Sequence, residues 1–170
     1  MSHAYGVIYR MKRELPTIDE ADRRLLQAVQ HDASASQAEL AEAAGVSPSL
    51  VSRRLSRLRE TGALRAIVGL VDAQSAGLSC GAIIRIRLKD HAAASVKQFR
   101  DLVTRMDEVT LCVMLTGEAD YLIKLIARDL PHFQEIVQQK FLRCPAIAHL
   151  ESSIILEYLK DTTELPLNAT

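Results

Sequence analysis

The feature that most constrains the fold is the run at residues 37–62, QAELAEAAGVSPSLVSRRLSRLRETG. Its apolar residues recur at helical spacing on both sides of Gly45, which predicts two short amphipathic helices joined by a tight corner. Glycine suits that corner because it adopts a left-handed backbone without a side-chain clash. Ser47 is the expected cap of the second helix, accepting a hydrogen bond from a free amide, and Pro48 fits the first turn. The run therefore predicts a helix-turn-helix.

The second of these helices has two chemically different sides. At about 100° per residue, Val51, Leu55 and Leu58 fall on one stripe, which is the predicted core side. The opposite side carries hydroxyls and guanidinium groups, and it can enter a DNA groove because arginine reaches phosphates or guanine edges. The residues predicted to contact DNA are Ser47, Ser49, Ser52, Arg53, Ser56 and Arg57. A simpler interpretation is a solvated basic helix, but the corner and restart beside it favour DNA contact.

Residues 17–33 predict one more helix for the same small core. Asp19 is the expected cap, since acidic residues follow it in the first turn. The predicted buried side consists of Leu25, Leu26 and Val29. Three helices are enough for a compact DNA-binding domain.

These patterns divide the first half of the chain into three parts. We expect an N-terminal arm at residues 1–16, the helix-turn-helix domain at 17–66, and a hinge strand with its linker at 67–79. Apolar residues between 64 and 71 predict a short extended segment, which we interpret as a wing or a hinge strand leading out of the domain.

Composition and charge exclude several classes of protein. The chain has 170 residues, of which 48% are hydrophobic and 25% charged, as in folded domains rather than disordered chains. Its formal net charge is zero, so strong polyanion binding is not expected and DNA affinity would draw on more than one copy. The sequence contains no apolar run long enough for a membrane span and no secretory signal, so we expect a cytoplasmic protein.

The reactive residues show no pattern of a metal site or an enzyme. The three cysteines and five histidines are scattered, without the spacing of a zinc or redox motif. No serine lies in a nucleophile elbow, and no glycine-rich phosphate loop is present. We therefore expect no metal site, no cofactor and no enzymatic activity.

The second half alternates between the periods of strands and helices. The predicted order is strand, helix, strand, strand, helix, strand, at residues 82–88, 93–106, 109–116, 121–127, 130–142 and 147–159. This order predicts a ferredoxin-like βαββαβ domain at residues 80–170, with two helices on one face of an antiparallel sheet. The other sheet face would be apolar and open, and a second copy of the chain is the simplest cover for it. The fold class is α+β, and we expect a homodimer.

Four stretches resemble the Lrp/AsnC family, the feast/famine transcription regulators. They are IDEADRRLL at residues 18–26, LAEAAGVSPSLVSRRLSRLRETGAL at 40–64, TGEADYLIKL at 116–125 and LESSIILEYLKDTTELPL at 150–167. The resemblance implies a winged or plain helix-turn-helix hinged to a domain that binds a small effector, usually an amino acid. It also implies dimers that assemble further, often into octamers, with the effector between dimers near the turn after the second strand.

That turn contains groups able to bind an amino acid. Gly117 permits close backbone approach, and Asp120 or Glu118 can pair with an α-ammonium group. A plain hairpin turn with a solvated acid is the alternative. Through the resemblance, the residues expected to contact the effector are Gly117, Glu118, Ala119, Asp120, Tyr121, Leu142, Ser152, Ser153 and Ile154. Ala119 stands where many relatives have an aromatic residue, so the pocket is expected to differ in shape and leucine is not assumed.

One enzymatic alternative stays open. Haem-pathway decarboxylases resemble the same two-domain plan and hold a tetrapyrrole in it. Such an enzyme would need histidines converging on one pocket. The scattered histidines and the basic second helix favour DNA binding instead.

Overall fold

The structure, a computed structural model, describes residues 17–167 and divides them into two compact units. Residues 71–159 form one unit, and residues 17–70 together with 160–167 form the other. The predicted arm at residues 1–16 lies outside the described residues. The 71–159 unit is therefore continuous in sequence, whereas the other unit is formed by two separate segments of the chain.

The unit that contains residues 17–70 has three helices, which are α1 (Glu20–His31), α2 (Gln37–Ala44) and α3 (Pro48–Glu60). The predicted cap of α1 is confirmed, because the Asp19 carboxylate accepts a hydrogen bond from the Asp22 amide at 2.8 Å. The Asp22 carboxylate accepts in return from the Asp19 amide at 3.2 Å, which completes a capping box. The apolar sides of the helices meet in one core of Leu25, Leu26, Val29, Leu40, Ala41, Ala44, Val51 and Leu58.

The corner between α2 and α3 agrees with the prediction in one respect and differs from it in another. Gly45 has the predicted left-handed backbone, with φ of 67°, and the Val46 amide donates to the Ala41 carbonyl at 3.0 Å. The prediction that the Ser47 side chain caps α3 is wrong. The Leu50 amide, an expected donor, bonds to the Ser47 carbonyl oxygen at 2.9 Å instead, while the two hydroxyls of Ser47 and Ser49 lie 3.1 Å apart.

The wing or hinge strand predicted after α3 does not form within a single chain. Residues 65–72 contain no strand, and the apolar side chains of Ile67, Val68, Leu70 and Val71 are exposed. No strand of the described chain pairs with this segment, and a strand without a partner has no hydrogen-bond ladder.

The C-terminal segment, residues 160–167, packs on α1 in the same unit. The Gln30 side-chain amide donates to the Leu165 carbonyl at 3.3 Å, and its oxygen accepts from the Leu165 amide at 2.8 Å. Leu167 is partly buried against the three-helix core. Residues 160–167 are therefore part of the three-helix unit rather than of the sheet domain that precedes them.

The unit formed by residues 71–159 has the predicted order of elements. Its elements are β1 (Cys80–Leu88), α4 (Ala93–Thr104), β2 (Val109–Met114), β3 (Tyr121–Ala127), α5 (Leu130–Ile136), a π-helical turn (Val137–Phe141) and β4 (Ile147–Ile154). The strands form one antiparallel sheet in the order β2-β3-β1-β4. The α+β fold class and the ferredoxin-like arrangement are thus confirmed.

Two predicted boundaries in this unit differ from the structure by more than two residues. The helix predicted at residues 130–142 is α-helical only to Ile136 and continues as a wider π-turn. Ile136 and Phe141 are both buried, yet an α-helix would set residues five apart about 140° apart around its axis. The wider turn brings both side chains to the core.

The last strand is shorter than predicted, ending at Ile154 rather than at residue 159. Its ladder with β1 begins at Ala82, where Ile154 is paired. The Ile155 amide still donates to the Gly81 carbonyl of β1 at 2.8 Å, but Leu156 and Leu159 after it are more than nine-tenths exposed. An apolar pattern alone therefore overextended the strand.

The two faces of the sheet differ in cover. Alternate residues of β1 and β3 are buried against the helices, including Ile84, Ile123 and Leu125. The opposite face carries side chains that are only partly covered or exposed. Tyr158 lies on that opposite face, since its ring is 4.6 Å from the Lys124 ammonium group.

Candidate nucleic-acid interface and ligand site

The outer side of α3 is exposed as the sequence predicts. Val51 and Leu58 are buried, whereas every residue named for DNA contact is exposed to solvent. Those residues are Ser47, Ser49, Ser52, Arg53, Ser56 and Arg57. Because helix-turn-helix proteins read DNA with the outer side of their second helix, this surface is free for that use.

Two of these side chains are held by other helices. The Ser52 hydroxyl accepts from the Gln37 side-chain amide of α2 at 2.6 Å. Arg57 donates through Nη2 to the Asp22 carboxylate of α1. Arg53, in contrast, makes no hydrogen bond or ion pair within residues 17–167, so its guanidinium group retains its full donor capacity for another molecule.

A charged cluster under α3 was missed by the sequence reasoning. Asp22 is fully buried, and Arg54 Nη1 lies 2.7 Å from its carboxylate and 2.8 Å from that of Asp19. Arg54 lowers the pKa of Asp19 through this hydrogen bond, and Asp19 raises the pKa of Arg54. The only sequence signal was an acid in a first helical turn, which ordinarily predicts a favourable helix-dipole interaction and nothing more.

The predicted effector turn between β2 and β3 is open at its tip. Gly117 has φ of 115°, and nothing lies within 4 Å of the position of an added Cβ. Glu118 is exposed and Ala119 is half-buried. A ligand can therefore approach the backbone of the turn closely.

The Asp120 carboxylate of the same turn already has protein partners. It accepts from the Leu88 amide at 2.7 Å, and the Asp120 amide donates to the Ile86 carbonyl at 2.9 Å. His91 Nε2 lies 3.6 Å from the other carboxylate oxygen and forms an ion pair only when the imidazole is protonated. Asp120 thus fixes the turn to the end of β1, and an arriving ammonium group would share its carboxylate.

Tyr121 lies in the core and not on the turn's open surface. Its ring centroid is 4.5 Å from that of Phe99, and the side chain is buried. Burial raises the pKa of its phenol. Strict alternation along β3 places Tyr121 with Ile123 on the helix side.

The effector residues predicted near the end of β4 lie apart from the turn. Leu142, Ser152, Ser153 and Ile154 are all exposed. Asp120 contacts Leu88 at one end of β1, whereas Ile154 pairs with Ala82 near the other end. Six residues of extended strand span about 20 Å. One chain therefore does not gather all the predicted effector residues into a single pocket.

Residues 17–167 contain neither a metal-binding cluster nor a membrane-spanning helix. Within residues 17–167, no group of three or more histidine, cysteine or acidic side chains is arranged to hold a metal ion. No helix in that range is both long and apolar enough to cross a membrane.

Comparison with protein families identifies both units. Residues 18–65 match the model described as winged helix-turn-helix DNA-binding, and residues 81–165 match the model of the Lrp/AsnC ligand binding domain. The chain belongs to the Lrp/AsnC family. It is a transcriptional regulator with a DNA-binding helix-turn-helix unit and a ligand-binding domain, which confirms the resemblance inferred from the sequence.

Individual relatives of this Lrp/AsnC regulator match over nearly their whole length. The DNA-binding transcriptional activator DecR of Escherichia coli is 32% identical, over 88% of this chain and 99% of that protein. The glutamate uptake regulatory protein of Zymomonas mobilis is 31% identical, over 90% and 93%. The crystal structure of a transcriptional regulator from Neisseria meningitidis in complex with L-methionine is 34% identical, with a TM-score of 0.85, over 89% and 98%.

Proposed function

We propose that this Lrp/AsnC regulator binds operator DNA sequence-specifically through the exposed side of α3. The observation that carries the proposal is the unpaired, exposed Arg53 among the small hydroxyls of Ser49, Ser52 and Ser56. Small side chains allow the helix to approach the groove floor, and a free guanidinium group can bind a guanine edge bidentately. Arg53 is therefore the residue assigned to base recognition.

The proposed effector is an amino acid or a related small metabolite. The Neisseria meningitidis structure holds L-methionine, and the Zymomonas mobilis relative is named for glutamate uptake. The turn at residues 117–120 offers an open backbone and a carboxylate, which suit an α-carboxylate and an α-ammonium group respectively. These features support the class of ligand and not a particular amino acid.

The proposed place of the effector is between dimers. About 20 Å of strand separate the turn from Ile154 within one chain. A ligand in contact with both regions would have to bind where copies of the chain meet. This separation supports a site completed by oligomerisation.

The proposed assembly is a homodimer that associates further to an octamer. Exposed or partly covered apolar side chains on the open face of the sheet, such as Ile83, Val113 and Leu122, support pairing of two sheets. An effector bound between copies changes DNA affinity only if it binds two arrangements of the oligomer with different affinities.

The proposal is tested with the wild-type protein in two measurements. Selection from a random duplex library, followed by fluorescence anisotropy, should yield a recurring sequence bound at least a thousandfold more tightly than a scrambled duplex. A thermal-shift screen of the twenty L-amino acids should give a raised Tm for one or a few, with the D-enantiomers as controls. Equal affinity for all duplexes, or no stereospecific shift with any amino acid, would contradict the corresponding half of the proposal.

A further inference from the structure

Asp22 is the only buried charged residue among those that the structure describes, and its side chain is fully enclosed. A carboxylate removed from water must be matched by charged donors, because the desolvation cost is otherwise uncompensated. Both of its arginine partners come from α3, the helix assigned to DNA, rather than from its own helix α1. The buried charge of α1 therefore acts on the orientation of DNA-facing side chains.

The two arginines are not equivalent. Arg54 is three-quarters covered and is also bound by the Asp19 carboxylate, so its donors serve the protein. The Arg57 side chain is about half exposed, with Asp22 as its partner. The other donors of Arg57 make no hydrogen bond within residues 17–167, which leaves them free for a second acceptor.

The bond to Asp22 limits what the second acceptor of Arg57 can be. Asp22 occupies one hydrogen of Nη2, so one of the two bidentate edges of the guanidinium group is engaged and the other remains for a second acceptor. The side chain also turns back toward α1 instead of extending from α3 as a base-reading arginine must. This orientation fits a phosphate oxygen at the wall of the groove better than a base edge at the floor of the groove.

We propose that Asp22 is a positioning residue for DNA recognition, holding the Arg57 guanidinium group so that its free donors bind a phosphate of the DNA backbone. The inference rests on DNA binding by α3 as proposed above, and it assigns Arg57 to backbone contact while Arg53 reads bases. Orientation by Asp22 lowers the cost of DNA binding, because the arginine loses less side-chain freedom when the phosphate arrives.

The test is a double-mutant cycle on the full chain, in which DNA affinity is the measured quantity. Fluorescence anisotropy measures binding to the library-selected duplex and to a scrambled duplex of the same length, at several salt concentrations. Arg57→Gln should weaken binding to both duplexes about tenfold and reduce the slope of log affinity against log salt by about one. Asp22→Asn keeps the side-chain size and should weaken binding severalfold in the wild type, yet have no further effect beside Arg57→Gln.

Three results would overturn the inference. The first is an equal loss from Asp22→Asn in both backgrounds, because that substitution would then act only on the fold. The second is a loss from Arg57→Gln that is confined to the selected duplex, which is the behaviour of a base contact. The third is an unchanged salt slope. Failure of the wild-type protein to bind any duplex would instead refute the proposed function itself.

A further variant keeps the inference testable if Asp22→Asn does not fold, as judged by circular dichroism. Arg57→Lys retains the charge but lacks the planar group that can bind a carboxylate and a phosphate together. Its affinity should fall clearly below that of the wild type. Wild-type affinity in Arg57→Lys would show that charge alone is sufficient, and would overturn the positioning role.

Discussion

The exposed side of α3 and the turn between β2 and β3 are both predicted binding regions, but they are built differently. The residues assigned to DNA occupy one helix and its cap, so a single chain presents them all on one surface. The residues assigned to the effector come from a turn, the end of a π-turn and an edge strand. In one chain they remain separate, and one of them, Tyr121, is in the core.

The two regions therefore depend on assembly to different degrees. A helix surface needs only a folded core beneath it, and the eight-residue core of the three-helix unit supplies this within one chain. In the proposed effector site between dimers, another copy of the chain brings the separate segments together. DNA contact by α3 should therefore respond to substitutions one residue at a time, whereas effector binding should respond to both the turn and the oligomeric state.

The largest expected effect is that of Asp120→Asn on effector binding. Asparagine keeps an acceptor for the Leu88 amide but loses the charge that would bind an ammonium group. We expect the affinity for the amino acid found by thermal shift to fall about 30-fold or more, roughly 2 kcal/mol. Isothermal titration calorimetry measures this, and Glu118→Gln, which alters the exposed acid two residues earlier, is the matched control.

Loss of amino-acid affinity in Glu118→Gln but not in Asp120→Asn would mean that Glu118 is the partner of the ammonium group. Retained affinity in both variants would place the effector away from the turn. DNA affinity without effector should be the same in both variants and in the wild type, because neither residue belongs to the three-helix unit.

The next largest effect is that of Arg53→Ala on DNA affinity. Loss of a base-reading arginine should cost about 1–2 kcal/mol with the selected duplex and relax the sequence preference. Fluorescence anisotropy measures the affinity, and sedimentation velocity should show an unchanged oligomer. Arg24→Ala removes one positive charge from α1, where Arg24 pairs with Glu20, and should alter affinity much less. Equal effects of the two substitutions would mean that only total charge matters.

A smaller effect is expected at the corner that sets the direction of α3. Gly45→Ala places a side chain on a backbone with φ of 67°, and the added Cβ would meet only ordinary contacts. Backbone strain alone should therefore destabilise the three-helix unit by roughly 1 kcal/mol. Urea denaturation measures it. Gly69→Ala is the control, because its Cβ meets nothing and its φ is not positive, so no loss of stability is expected there.

The sequence predicted most where the cause of structure is local. The corner at Gly45, the cap at Asp19 and the buried side of α3 depend on neighbours a few residues away, so spacing revealed them. The partnership of Asp22 with Arg57 joins residues 35 positions apart. It depends on how helices pack, and helical periodicity contains no such information.

The errors at strand ends have a similar physical origin. Residues 64–71 and 156–159 have an apolar pattern, yet neither segment forms a strand within the described chain. Pairing, and not the pattern, decides whether a strand exists. The effector residues were named through family resemblance, which identifies regions but does not give the sheet register that separates Ile154 from Asp120.

The smallest expected effect concerns the contact between α1 and residues 160–167 within the three-helix unit. Gln30→Ala removes both hydrogen bonds to the Leu165 backbone, which are largely exposed, and should destabilise the three-helix unit by about 0.5–1 kcal/mol. Gln27→Ala, also on α1 but without such a bond, should have no measurable effect. Limited proteolysis gives a second measure, since cleavage near residue 165 should accelerate in Gln30→Ala alone. Equal cleavage in both variants would mean that Leu167 and its apolar contacts hold the segment, and that the tail is joined to the helix-turn-helix by burial instead of by Gln30.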